Sequence, residues 1–212
     1  MRTNVLTIGA AIGPGTREKV GRGPAAAQRR HGSDERRLIE RVGARDPDAF
    51  KQLYRLYQPR LHRFLVNLLR CTQLVEEVLD DTMIVVWQSA HRFRGASKVS
   101  TWIFAIAYRK ALKARTRWPE PVEDEGRDLR KDPGPGPEQQ LQRQRLHQSL
   151  VDAMDHLSAN HRAVIDLTYF HGLSCSDIAD VMNCPVDTVK TRMFHARRHL
   201  RHCLSGAVTD WV

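Results

Sequence analysis

The stretch from Trp118 to Glu138 constrains the fold most, because it interrupts any continuous core. It consists of WPEPVEDEGRDLRKDPGPGPE, with five prolines among many charged residues. Each proline lacks an N–H and restricts the residue before it to extended conformations, so no helix is expected to run through the stretch. We therefore predict a flexible, solvated linker at residues 119–138, between blocks at residues 34–118 and 139–205.

Both blocks are predicted to be helical, because their apolar residues recur every three or four positions without strand-like alternation. In the first block, Asp46 and Pro47 are residue types favoured at the N-cap and first position of a helix, and Pro59 is expected to kink it. A second helix is expected to have Thr72 as its N-cap, and a third to end before Pro119. The predicted fold class is all-α, with two small helical domains joined by a flexible linker.

The ends of the chain are expected to lie outside these domains. Residues 1–33 are rich in Gly, Ala and Arg without a sustained period, which predicts a disordered basic arm, and residues 206–212 form a tail. The start lacks the features of a signal peptide, and no stretch approaches the roughly 20 apolar residues of a membrane-spanning helix. We expect a cytoplasmic protein.

The charge and cysteine content narrow the classes of partner. The formal net charge of +10 favours a polyanion such as nucleic acid, with an anionic membrane as the alternative. None of the four cysteines forms a CxxC pair, so neither a zinc site nor a disulfide framework is indicated, and reduced thiols are expected. Redox sensing by these cysteines stays open.

The C-terminal block is the most informative part of the sequence, LSANHRAVIDLTYFHGLSCSDIADVMNCPVDTVKTRMFHARRHL. Gly172 supplies a left-handed stop after a first helix. Ser174 and Asp177 resemble a capping box that opens a short second helix at residues 175–182. Asn183 can take the left-handed conformation, and Pro185 is then expected to start a longer third helix. This order is the helix-turn-helix arrangement, whose second helix can enter the major groove of DNA.

The third helix has an apolar stripe and a polar, mostly basic face. The stripe consists of Val189, Met193, Ala196 and Leu200, and the other face carries Thr188, Lys190, Thr191, Arg192, His195 and Arg198. A basic helix face is often only solvated. The capped helix before it, the lack of an acid on this face after Asp187 and the basic chain favour DNA binding. Residues 188–192 are best placed to reach bases, whereas the later arginines suit phosphates.

Two further clusters lie in the N-terminal block. Glu76, Glu77, Asp80 and Asp81 form an acidic ridge of like-charge pairs, which cost a few tenths of a kcal/mol in an isolated helix. A basic protein partner would explain the ridge, and a solvated face would also. A nuclease metal site lacks a suitably spaced histidine or base, so no metal is expected. Farther along, SKVSTWIFAIAYRKALKARTRW places cations beside aromatics, which suits single-stranded DNA, although Trp102 and Phe104 could equally be core residues.

These motifs together resemble a known family. The helix-turn-helix segment resembles the fourth conserved region of bacterial sigma factors of the extracytoplasmic-function (ECF) group in the sigma-70 family. The segments DAFKQLYRLY, VLDDTMIVVW and FRGASKVSTWIFAIAYRKAL resemble the second region of that group. The resemblance implies a factor, not an enzyme and without a cofactor, that directs promoter recognition, promoter melting and transcription initiation. Its implied partners are the beta-prime and beta subunits of core RNA polymerase, promoter DNA and an anti-sigma factor.

The resemblance also implies roles for individual residues. It implies that Asp80, Asp81 and Trp87 bind the clamp coiled coil of the beta-prime subunit. The residues implied to bind the minus-ten element as single-stranded DNA are Phe93, Arg94, Lys98, Ser100, Thr101, Trp102, Arg109 and Lys113. Those implied to read the minus-thirty-five element are Thr188, Lys190, Thr191, Arg192, His195 and Arg198.

The sequence departs from the family pattern at several positions, and one alternative function stays open. The departures are Ser158, Pro185, Asp187, Arg109 and Lys113, which concern the promoter sequence rather than the class of protein. The alternative is a self-sufficient helix-turn-helix transcriptional regulator. Such a regulator needs a dimerisation surface and an effector pocket, and the sequence indicates neither.

Overall fold

The structure is a computed structural model that describes residues 24–117 and 149–208, and side chains within residues 32–117 and 149–204. Its helices are α1 (Pro24–Gly43), α2 (Pro47–Leu69), α3 (Thr72–Ser89), a short 3₁₀ turn (Ala90–Arg92), α4 (Val99–Arg117), α5 (Ala159–Tyr169), α6 (Cys175–Met182) and α7 (Val186–Val208). Residues 149–155 are also helical, and the described ranges contain no strand. The all-α prediction is confirmed. The predicted linker lies outside the described residues.

The first helix begins earlier than the sequence predicts. Residues 24–33, which were expected to belong to a disordered arm, form the first half of α1, whereas residues 1–23 lie outside the described ranges. Pro24 stands at the helix start, and the alanines that follow it are strong helix formers. At the other end of the helix, Ile39 and Val42 are fully buried in the N-terminal core. Helix propensity and this anchor together outweigh the polar composition of the segment.

Helix α2 begins as predicted, whereas α3 is capped differently. The Asp46 carboxylate accepts hydrogen bonds from the backbone N–H groups of Asp48 and Ala49, at 2.9 Å and 3.1 Å. The helix then continues through Pro59 to its end. The prediction that Thr72 caps α3 is wrong by one position, because Cys71 is the N-cap and makes no capping hydrogen bond with its side chain. The polar hydroxyl of Thr72 suggested a cap, but the chain becomes helical already at that residue.

The helix-turn-helix is built as the sequence predicts. Ser174 and Asp177 form the capping box of α6 in both directions. Gly172 and Asn183 have φ values of +63° and +50°, so both turns use left-handed residues. Helix α7 begins one residue after Pro185, whose carbonyl accepts from the Thr188 N–H at 3.0 Å. These local signals set the end of α6 and the start of α7.

The two blocks share one hydrophobic core. Helices α5 and α6 of the C-terminal block pack against α2 and α4 of the N-terminal block, and buried residues of both blocks form one continuous cluster. The aromatic pair Phe64 and Phe104 lies at this junction, with ring centroids 5.3 Å apart. The sequence predicted two blocks but not that they would be in contact. Within the described ranges, no helix is long and apolar enough to cross a membrane.

Candidate nucleic-acid interface

The outer face of α7 carries most of the six residues that the sequence assigned to the minus-thirty-five element. Val189, Met193 and Ala196 of the apolar stripe are buried, which turns the opposite side of the helix towards solvent. The assigned residues Lys190, Thr191, His195 and Arg198 are exposed, whereas Thr188 and Arg192 are half-buried. The structure therefore brings most of this set onto one open surface.

The first turn of this face contains an internal ion pair. Lys190 Nζ lies 2.9 Å from Asp187 Oδ1, and the Thr191 hydroxyl donates to the Asp187 carbonyl at 2.9 Å. The hydrogen bond to Asp187 raises the pKa of Lys190 above its ordinary value. Both side chains are largely exposed, so the pair is weak.

Arg192 does not point outward with the other cations. Its Nη1 lies 3.7 Å from Cys184 Sγ and 3.9 Å from Met182 Sδ, in the turn between α6 and α7. Its half-buried guanidinium thus supports the turn of the helix-turn-helix. The helical wheel could not reveal this, because a long arginine side chain can fold back along its own helix.

Two further residues of this surface escaped the sequence analysis. The Phe194 side chain is 63% exposed beside His195, with ring centroids 5.5 Å apart. The sequence signal for Phe194 was its position directly after Met193, which is buried. His161 of α5 lies 6.4 Å from the His195 ring, and burial followed by the charge of His195 lowers the pKa of His161. An apolar ring therefore stands among the polar groups of α7.

The residues assigned to the minus-ten element lie in the loop before α4 and along that helix. Phe93 and Trp102 are half-buried and pack on each other, with ring centroids 5.4 Å apart. The loop turns at Gly95, whose φ of +73° would be strained for any residue with a side chain. The remaining members of the set fall into an exposed group and a buried group. Arg94, Lys98, Arg109 and Lys113 are exposed, whereas Ser100 and Thr101 are buried.

Two members of this set are bound by the C-terminal block. Lys98 Nζ lies 2.7 Å from Asp177 Oδ2, and the Thr101 hydroxyl donates to Asp177 Oδ1 at 3.1 Å. Burial tends to raise the pKa of the Asp177 carboxyl, but the hydrogen bonds from Lys98 and Ser174 lower it to about 2. Asp177 therefore carries its charge at neutral pH and holds the start of α4 against the start of α6.

The acidic ridge on α3 is largely paired within the N-terminal block. Asp81 lies 2.9 Å from Lys110 Nζ, and Asp80 accepts from the Tyr54 hydroxyl at 3.3 Å. Trp87, the third residue assigned to polymerase binding, is half-buried against Phe50, with ring centroids 5.0 Å apart. Among the described residues, no three His, Cys, Asp or Glu side chains are placed to hold a metal ion.

The fold and this surface define an all-helical protein whose helix-turn-helix presents a basic face suited to nucleic acid. The sigma-70 region 2 family matches residues 53–118, and the sigma-70 region 4 family matches residues 147–200. The RNA polymerase sigma-H factor of Pseudomonas aeruginosa is 32% identical over 187 residues, which cover 83% of this chain and 96% of that protein. The ECF RNA polymerase sigma-E factor of Haemophilus influenzae is 32% identical, covering 78% of this chain and 92% of the relative.

Two solved structures are also similar to this chain. The sigma factor RpoE of Bartonella quintana, in complex with the anti-sigma factor NepR, is 26% identical with a TM-score of 0.59, covering 74% of this chain and 96% of that one. CnrH, in complex with the cytosolic domain of CnrY, has the same TM-score at 22% identity, over 82% and 98% of the two chains, which shows the shared fold.

The chain belongs to the ECF group of the sigma-70 family of RNA polymerase sigma factors. It is a DNA-binding regulatory factor of transcription initiation, as the resemblance implied, and the self-sufficient regulator is not favoured.

Proposed function

We propose that this sigma factor binds core RNA polymerase through its N-terminal block and directs it to promoters whose two elements contact the two blocks separately. The outer face of α7 carries this proposal, because its cations and hydroxyls are exposed on the second helix of a well-capped helix-turn-helix. Nothing in the mechanism requires covalent chemistry or a cofactor. The chain acts in the cytoplasm, where core polymerase and promoter DNA are present.

In this proposal, α7 enters the major groove of the minus-thirty-five element. Thr188, Lys190 and Thr191 lie in its first turns, from which side chains reach base edges. His195 and Arg198 lie farther along, where they suit phosphates that position the helix. The exposed Phe194 ring suits the methyl group of a thymine, an apolar mark of the major groove. Asp187, once Lys190 leaves it to contact the DNA, can accept from a cytosine amine.

The minus-ten element is proposed to bind the loop before α4 and the basic face of that helix. Unstacking a base costs a few kcal/mol, which a pocket beside the Phe93 and Trp102 rings would offset by stacking. Arg94, Arg109 and Lys113 neutralise phosphates of the same strand. The Thr101 hydroxyl becomes available only where Asp177 of the C-terminal block moves away.

The acidic side of α3 is proposed to dock on the beta-prime subunit. Asp80 is exposed, and Ile84 one turn later has 52% of its side chain exposed, so a charged and an apolar contact lie side by side. Trp87 supports this surface by packing against Phe50 and does not contact the beta-prime subunit directly. Because the related RpoE forms a complex with the anti-sigma factor NepR, an anti-sigma factor is proposed to bind this chain too.

Footprinting of upstream DNA, with the chain alone and with core polymerase, tests this function. We expect protection of both elements only with polymerase present. Arg198→Ala should weaken protection of the upstream element, whereas the matched change Arg55→Ala, of an exposed arginine on α2, should not. Strong, specific protection by the chain alone would instead identify a self-sufficient regulator.

A further inference from the structure

The first turn of α7 carries an acidic side chain on a face that is proposed to bind DNA. Asp187 is the one acid in this helix, and 89% of its side chain is exposed. A carboxylate repels the phosphates on both sides of a DNA groove. Asp187 is also a position at which the chain departs from the family pattern, so the resemblance assigns it no role. Any DNA group that binds this carboxylate is a hydrogen-bond donor rather than a phosphate.

An acid at this position also has a simpler effect on the helix itself. Its negative charge lies near the partial positive charge of the helix N-terminus, which stabilises the helix slightly. That effect requires no specific partner for the carboxylate. In the structure, however, Lys190 Nζ lies 2.9 Å from Asp187 Oδ1. A cationic donor and an anionic acceptor are therefore held side by side at the exposed start of the helix.

The backbone beneath this pair is well anchored. Val189 is fully buried, and the Pro185 carbonyl accepts from the N–H groups of Thr188 and Val189 at 3.0 Å and 3.3 Å. The Thr191 hydroxyl donates to the Asp187 carbonyl at 2.9 Å. The Lys190 side chain is itself 63% exposed. Both charged groups can thus change partners by side-chain rotation alone, while the turn that carries them stays in place.

The edge of a G·C base pair is complementary to this pair of side chains. In the major groove, the base-edge donors are the N4 amine of cytosine and the N6 amine of adenine, and guanine presents the acceptors O6 and N7. The guanine O6 and the cytosine N4 are hydrogen-bonded to each other, at about 2.9 Å. An acceptor for a lysine and a donor for a carboxylate therefore lie as close together as the two side chains do.

We propose that Lys190 and Asp187 together recognise one G·C base pair of the minus-thirty-five element: Lys190 donates to guanine O6 and N7, and Asp187 accepts from the cytosine N4 amine. This inference rests on the proposed function, in which α7 enters the major groove. On binding, each side chain exchanges its partner in the free protein for a base of the same pair. The exchange costs little, because an exposed ion pair is weak.

The proposed contacts rank the four base pairs, written with the base that faces Lys190 first. C·G and A·T both place an amine against Lys190 and a carbonyl oxygen against Asp187, so both contacts become unfavourable. T·A keeps a carbonyl oxygen beside Lys190 and an amine beside Asp187. It lacks the N7 acceptor beside Lys190, and its adenine N7 lies on the side of the carboxylate. The expected order is G·C, then T·A, then A·T and C·G.

Run-off transcription with the full chain, core polymerase and a pool of barcoded templates tests this inference. Each template carries one variant of the upstream element that footprinting with the wild type defines, and its barcode lies within the transcript. The proteins compared are the wild type, Asp187→Ala, Lys190→Ala and the control Asp180→Ala, which removes the same charge from an exposed position of α6. Asp187→Ser, which suits a helix start, replaces Asp187→Ala if circular dichroism shows that protein to be unfolded.

We expect the wild type to prefer G·C at one position over C·G and A·T by about tenfold or more, with T·A between them. Asp187→Ala and Lys190→Ala should each lower this preference by about fivefold or more at that same position. Their preferences at the other positions of the element should stay as in the wild type. Asp180→Ala should match the wild type at every position.

Two results would overturn the inference while leaving the proposed function intact. Preferences that relax at different positions in the two variants would show that Lys190 and Asp187 recognise separate base pairs. An effect of Asp187→Ala that is equal for all templates, or absent, would assign this residue to the helix start alone. Failure of the proposed function is distinguishable from both, because the wild type would then initiate from none of the templates.

Discussion

The two candidate DNA surfaces of this sigma factor differ in their accessibility. On α7, Lys190, Thr191 and His195 are exposed, and their nearest competitor is the solvated Asp187. At the start of α4, Thr101 is buried and Lys98 is bound by a carboxylate that the other block supplies. We therefore expect duplex DNA to reach α7 directly in this arrangement, whereas DNA can reach the Thr101 hydroxyl only where Asp177 releases it. The difference matches the order in which a promoter is first found as a duplex and then melted.

The largest effect, on the free energy of unfolding, is expected at a side chain that packs against residues of both blocks. Phe104 is fully buried, packs on Phe64 and contacts His171 across the interface. Phe104→Ala should lower the free energy of unfolding by about 3–5 kcal/mol, because it leaves a cavity in the common core. Urea denaturation followed by circular dichroism measures this. Phe170→Ala, which truncates a ring that is 47% exposed, should cost less than about 1 kcal/mol, and equal losses would contradict the shared core.

A second effect concerns the covered surface at the start of α4, where the stability that Asp177 contributes depends on pH. Because the pKa of Asp177 lies at about 2 in the folded protein rather than at 3.8, its ionised form stabilises the fold above about pH 4, and this contribution is lost as the pH falls towards 2. Asp177→Asn should lower stability by about 1–3 kcal/mol at pH 7, through the lost cap and ion pair. Thermal melts from pH 7 to pH 2 should show the difference shrinking as the pH falls. A constant difference would contradict the role of the charge.

A third effect concerns the binding of duplex DNA by the exposed face of α7. Arg198→Ala should weaken binding to duplex DNA by about five- to tenfold for all sequences, and should reduce the slope of log affinity against log salt by about one. Fluorescence anisotropy at several salt concentrations measures both quantities. Arg55→Ala on α2 is the control and should leave the slope unchanged. A loss confined to one DNA sequence would mean that Arg198 reads a base rather than a phosphate.

The smallest effect concerns the cap of α3, which lies away from both DNA surfaces. Cys71 occupies the N-cap with extended backbone angles but makes no capping hydrogen bond. Cys71→Ser supplies a hydroxyl that can accept from the backbone N–H groups of the first turn and should stabilise the protein by about 0.5–1 kcal/mol. Thermal denaturation detects the change, and duplex DNA binding should not alter. A destabilised Cys71→Ser protein would indicate that the thiol is needed for packing.

The sequence was sufficient for features that depend on neighbours along the chain. The capping residues Asp46, Ser174 and Asp177 and the left-handed positions Gly172 and Asn183 all act within a few residues, so the helix-turn-helix was predictable almost to its bounds. The outward face of α7 followed from its period. The turn of Arg192 towards Cys184 did not, because the direction of a flexible side chain depends on the neighbouring helix.

The contact between the blocks was not predictable, because it joins residues that are distant in sequence. One signal was present: Asp166 is a charged residue within the apolar run AVIDLTYF, where a buried carboxylate requires a partner. The sequence does not identify that partner, which is Asn67 of α2, 2.6 Å from Asp166 Oδ1. Asp177 was recognised as a capping residue, but its second role depends on where α4 lies in the folded chain.

The central claim is that this chain brings core RNA polymerase to promoters. Run-off transcription with purified core polymerase, on a library of upstream fragments from the genome that encodes the chain, tests it most directly. The account predicts discrete transcripts that require the chain and that share two upstream elements, with weaker initiation by Arg198→Ala and by Lys113→Ala. Transcription that is the same with and without the chain would contradict it.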